Sequence, residues 1–128
     1  MAGGQALISN FTWKDCLIDI SEDDDLSVAM NIQGFMLLGI EFPSAWTAAS
    51  ITFQGTMESG GTLKDLYDED ANEVTWSGAA ASRLLLAGGT SPLIGGLHTI
   101  KIRSGVTATP VAQAADRTLR LLLGVPNP

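Results

Sequence analysis

Apolar and polar residues alternate with a period of two along most of this chain, and no stretch carries a convincing helical period. The alternation is clearest between residues 97 and 123. Ile100 and Ile102 are interleaved with Lys101 and Arg103, and Leu119, Leu121 and Leu123 share one parity around Arg120. This is the pattern of two half-buried strands, and the loop at 106–116 that joins them predicts that they lie side by side.

The rest of the chain reads in the same way. In Phe11 to Ile20, Phe11 and Trp13 share one parity while Cys16, Ile18 and Ile20 share the other, which predicts a strand with a bulge or break near Lys14-Asp15. Ser21 is followed by four acids, Glu22 to Asp25, whose mutual repulsion predicts a solvated turn. Leu26, Val28, Met30 and Ile32 then alternate with small and polar residues as the cleanest amphipathic strand. After a Gln33-Gly34 turn, the nearly continuous apolar run Phe35 to Phe42 suits a strand covered on both faces. Pro43 to Ala49 reads as a connector with one helical turn. Ile51, Phe53, Gly55 and Met57 form the next strand, closed by a Glu58–Gly61 hairpin turn. Leu63 to Tyr67 returns, Asp68 to Asn72 turns, Val74 and Trp76 begin a short strand, and Arg83 to Leu86 form another before the Gly-rich loop Ala87 to Gly96.

About eight or nine short strands, with turn signals every 8–12 residues or so, predict an all-β fold, an antiparallel β-sandwich of jelly-roll topology. Residues 1–10 read as a loose arm and 11–128 as a single sandwich domain, without internal repeat or linker.

Composition agrees with one globular domain: 128 residues, 45% hydrophobic and 16% charged, with 14 glycines for turns. Cys16 has no partner, so an internal disulfide is excluded and the residue reads as a small core side chain. The first ten residues lack the basic and apolar regions of a signal peptide. No apolar run approaches the ~20 residues of a membrane-spanning helix. The net charge of −7 hides an asymmetry. Residues 1–75 hold thirteen acids against two lysines, a balance of −11, whereas 76–128 hold five basic residues against Asp116, a balance of +4. Either the two halves present opposite charge on different faces, or they pair with each other inside the sandwich. Nucleic-acid binding is not expected of so acidic a chain.

Candidate chemistry is sparse. Asp68, Asp70 and Asn72 have the spacing that opens a calcium loop, but Glu73 stands where that loop needs glycine and Ala79 where it needs glutamate. A polar hairpin turn is the better reading. His98 is the sole histidine, which leaves neither a His-rich metal site nor a supported Ser-His-Asp triad. The carboxylates cluster in turns. No catalytic, metal or cofactor residue is therefore assigned. Of Trp13, Trp46 and Trp76, each able to stack on a sugar ring, Trp46 in the connector after Pro43 is expected to be the most exposed.

The segments G-F-M-L-L-G-I-E-F-P-S-A-W-T-A-A-S-I-T-F-Q, L-K-D-L-Y-D-E-D-A-N-E-V-T, L-H-T-I-K-I-R-S-G and P-V-A-Q-A-A-D-R-T-L-R-L-L-L resemble a group of small virion structural proteins of tailed bacteriophages and prophages. The resemblance spans about residues 34 to 123 and is most specific between Ile100 and Leu121. It implies a non-enzymatic capsid decoration (cement) protein that binds the major capsid protein and stabilises the head. Such a protein is synthesised in the bacterial host cytoplasm, ends on the capsid surface and works as a homo-oligomer, a trimer at three-fold sites being favoured. A carbohydrate-binding or adhesion module of a head or tail fibre, a tail accessory protein, and an assembly factor absent from the mature particle are the alternatives. The I-K-I-R-S run is also similar to the last strands of discoidin-type, galactose-binding-like jelly rolls, a likeness that concerns fold. Where the phage pattern has glycine in the Asp68–Asn72 turn, this chain has Ala71. Trp46 and the basic residues Lys101, Arg103, Arg117 and Arg120 are the candidate interface.

Overall fold

A computed structural model describes residues 8–89 and 91–126. Among these residues, eleven strands follow one another: β1 (Ile8–Ile18), β2 (Met30–Asn31), β3 (Met36–Glu41), β4 (Ile51–Thr56), β5 (Lys64–Asp65), β6 (Thr75–Trp76), β7 (Leu84–Leu86), β8 (Ile94–Gly95), β9 (Thr99–Val106), β10 (Thr109–Pro110) and β11 (Arg117–Pro126). They form two antiparallel sheets. One has the order β1-β11-β3-β7 with β8 also on β3, and the other has β10-β9-β4-β5 with β2 on β9 and β6 on β4. The sheets pack face to face as a β-sandwich, and the topology is compatible with a jelly roll.

Period-two patterning explains the core. Cys16, Ile18, Leu37, Ile40, Leu119, Leu121 and Leu123 project from the five-stranded sheet, and Ile51, Phe53, Trp76, Ile100 and Ile102 from the six-stranded one; all are completely buried. Phe53 and Trp76 meet edge to face with ring centroids 5.3 Å apart.

Several expectations are corrected. The two strands of the 97–123 region are not neighbours: β9 pairs with β4, β2 and β10, whereas β11 pairs with β1 and β3. The intervening chain first turns back on β9 as β10. The Val111 N–H still donates to the Ser104 carbonyl on β9 and the Gln113 N–H to the Asp24 carbonyl before the chain enters the other sheet as β11. Alternation reports which residues are buried, not which strand lies alongside. The expected strand over 26–32 reduces to Met30–Asn31 because its ladder with β9, which begins at a Leu26–Arg103 bridge, is interrupted at Val28. The Val28 N–H reaches the Leu17 carbonyl on β1, while Met30 pairs with Ile100 on β9. Ser27, not Leu26 or Val28, takes the buried place, accepting the Ile102 N–H and donating to the Val28 carbonyl. Met57 lies beyond the end of β4, largely in solvent. Pro43–Ala49 makes a turn without helix, the Trp46 N–H donating to the Pro43 carbonyl at 3.2 Å.

β1 runs through Lys14-Asp15 unbroken, its only register shift lying between Ile8 and Asn10. Of the arm expected at 1–10, residues 1–7 lie outside the described residues, and β1 begins at Ile8. In the Asp68–Asn72 turn the Asp68 carboxylate accepts the N–H groups of Asp70 and Asn72, and Ala71 takes the left-handed conformation (φ 64°) that glycine adopts more easily. Gly105 has no such alternative: at φ +90° a Cβ would sit 2.6 Å from the Val111 nitrogen.

Candidate docking face

The outward surface of the five-stranded sheet carries three cross-strand rows, because directly opposed residues on antiparallel strands share a face. The central row is Trp13, Leu122, Gly39 and Leu86, crossing β1, β11, β3 and β7. On one side lie Phe11, Gly124, Met36 and Gly95. On the other lie Asp15, Arg120, Glu41 and Leu84. Phe11 (63% exposed), Trp13 (55%), Leu84 (57%) and Leu86 (59%) thus converge on one side of the molecule. A two-layer sandwich needs only its inner faces to be apolar, so an apolar outer face is surplus to folding and marks a surface for another molecule.

Glycine shapes the row. Gly39 lets β7 lie close, with the Leu86 side chain over the vacant Cβ position; an added Cβ would come 2.9 Å from the Leu85 carbonyl oxygen and 3.0 Å from a Leu86 methyl. Arg120 ties the apolar and polar rows together. Its guanidinium stacks on Trp13 at 4.2 Å from the ring centroid, and Asp15 and Glu41 each lie 3.8 Å from it. These exposed pairs add little stability, but they set a charged row beside the apolar one. Asp15, Glu41 and Arg120 also line a shallow depression of about 360 Å³ with Phe42, Pro43 and Thr118.

Of the candidate interface residues, only Arg120 belongs to this face. Trp46 is buried (5% exposed) against Phe42, its indole N–H donating to the Ala49 carbonyl, so the expectation of an exposed tryptophan there is wrong. Arg103 is buried on the six-stranded sheet. It donates to Asp65 at 2.7 Å, to Glu73 at 3.4 Å, and to the hydroxyls of Thr107 and Thr52. That guanidinium holds the Asp65 carboxyl below its ordinary range. Arg117 is buried too, its Nε donating to Gln113, whose amide also clamps Thr47 and Ser104. Lys101 is half-buried on β9, in the other sheet. The five residues do not form one surface.

The charge asymmetry resolves accordingly: the four ion pairs formed among the described residues each join an arginine of the positive half to an acid of the negative half. Sequence reasoning missed Phe11, Leu84, Leu86 and Leu122, and named Trp13 only for its ability to stack on a sugar ring. For Phe11 and Trp13 the signal was present in β1, where apolar residues change parity within one unbroken strand: that change is an apolar outer face, not a bulge.

The other chemical groups are more modest. Cys16 is buried, which pushes its thiol up to about 11 against the smaller opposing effect of a hydrogen bond with Ser27. Asp23, Asp24 and Asp25 lie close together, and burial, then repulsion from Asp23, raises the Asp25 carboxyl. Comparison with protein-family models, curated proteins and solved structures finds no match to this chain. Among the described residues, no helix is long and apolar enough to cross a membrane.

Proposed function

We propose that this protein is a non-enzymatic structural component of a bacteriophage virion, a capsid decoration (cement) protein that binds the major capsid protein and stabilises the head. The resemblance in sequence supplies the class. The observation that carries the reading is the apolar outer face built around Trp13, Leu122 and Leu86 on a rigid sheet. Adhesion to a shell needs such a face and a scaffold that does not deform, and aromatic and aliphatic anchors with an arginine are the residues that dominate protein–protein contacts.

The test is attachment to expanded capsids of the phage or prophage that encodes the chain. Trp13→Ser combined with Leu86→Ser is expected to lower capsid affinity at least tenfold, the loss of ~1.5 kcal/mol or more at two anchors, with the fold retained. Recovery of the chain only in tail fractions, or its absence from purified virions by mass spectrometry, would refute the proposal.

A second reading, glycan adhesion, has one observation in its favour: Trp13 is the exposed tryptophan, since Trp46 and Trp76 are buried. One face of its ring is covered by Arg120, which leaves the other for a sugar. Glycan-array binding abolished by Trp13→Ala would favour this reading over cement.

A further inference from the structure

We propose that the free edge of β1 pairs with β1 of a second copy, in antiparallel register about a two-fold axis that sets Thr12 opposite Thr12 of the partner. β1 is an eleven-residue edge strand whose pairing among the described residues is with β11 alone. Long unpaired edges are templates for another strand, and proteins normally blunt them or use them. The far end of this one is blunted: the Leu17 carbonyl, on the side away from β11, accepts the Val28 N–H. Backbone groups alternate in direction along a strand. The same carbonyl therefore shows that Phe11, Trp13 and Asp15 also aim their N–H and C=O groups outward. The open stretch, residues 9–15, is centred on Thr12.

A two-fold at Thr12 uses the whole stretch and opposes compatible residues. Phe11 faces Trp13 of the partner and Trp13 faces the partner's Phe11, two aromatic cross-strand pairs that are hydrogen-bonded through their backbones. Lys14 faces Asn10, and no like charges are opposed. Moving the axis two residues toward the C-terminus sets Lys14 against Lys14 and brings the blunted Leu17 into the ladder. The Thr12 register also aligns the outer faces, so the apolar rows of two copies become one continuous surface with four aromatic rings at its centre. A partner with a different sequence would have to supply both the strand and the aromatic pair, whereas a second copy carries them already.

The inference rests on the strand edge and not on the capsid reading, and it puts a dimer where the resemblance favours a trimer. The full-length protein is expected to sediment as a dimer at tens of micromolar. Thr12→Cys is expected to form an intermolecular disulfide under mild oxidation, because opposed residues at a non-hydrogen-bonded site approach to disulfide distance. Phe11→Cys, whose two copies lie diagonally apart in this register, is expected to stay uncrosslinked. Trp13→Pro removes one outward N–H and an aromatic anchor from the edge; it is expected to give a folded monomer, monitored by circular dichroism. A monomeric wild-type protein, a trimer, or crosslinking through Phe11→Cys in preference to Thr12→Cys would each overturn the proposal.

Discussion

Replacing Arg103 by methionine tests the reasoning at its most demanding point, a buried cation that the sequence presents as an ordinary outward strand residue. Arg103 is 7% exposed, and its guanidinium ties β9 to the β5 and β6 side of the same sheet across the intervening β4, and to the turn that follows β9. Asp65 is on β5, Glu73 bridges Tyr67 just before β6, and Thr107 is in the turn after β9. Glu73 binds Thr107 as well, through both the backbone N–H and the hydroxyl. Methionine conserves most of the volume but leaves the Asp65 and Glu73 carboxylates, whose side chains are 27% and 14% exposed, without their cation.

Breaking a buried pair from one side costs about 3–5 kcal/mol. Partial solvation of Asp65 places this case at the lower end, near 3 kcal/mol. For a domain of this size that shifts the thermal midpoint by roughly 10 °C. The triple replacement with Asp65→Asn and Glu73→Gln removes the stranded charges and is expected to recover at least half of the loss. Urea denaturation followed by tryptophan fluorescence measures both.

The pH dependence supplies an independent check. Arg103 lowers the folded-state pKa of Asp65, so this group contributes stability that is present above the ordinary carboxylate pKa, about 4, and is lost as pH falls through the lower folded value. Asp25 acts in the opposite sense, since its raised carboxyl favours folding at low pH and loses that contribution as pH rises. Arg103→Met is expected to flatten the acid limb of the wild-type stability curve. A loss below 1 kcal/mol with an unchanged acid limb would refute the assignment of the network.

Gly105→Ala is expected to destabilise by roughly 3 kcal/mol or more, since a positive φ and a backbone collision coincide there; near-wild-type melting would contradict the tight β9–β10 turn. Native Cys16 is expected to resist a disulfide reagent at pH 8 and to react in full after unfolding, because its thiol is buried with a pKa of about 11. Rapid native labelling would show that β1 opens from β11.

Much of the fold was legible in local pattern. Period-two alternation identifies Ile100, Ile102, Leu119, Leu121 and Leu123 as core residues, and all five are completely buried. Acid and glycine clusters marked real turns at Asp68–Asn72 and Gly60. These features depend on a few consecutive residues, so a sequence states them directly. It follows that an all-β sandwich was within reach of the sequence alone. Only tertiary structure decides which strands are neighbours, and so which outward residues are covered. Arg103 and Arg120 occupy similar alternating positions, yet a loop and a hairpin close over Arg103 while Arg120 stays on an open face. Trp46 follows a proline in a connector but packs on Phe42 because the turn folds it inward. The apolar outer face has the same origin. Phe11, Trp13, Leu122 and Leu86 are far apart in sequence and become one row only because β1, β11, β3 and β7 assemble in that order.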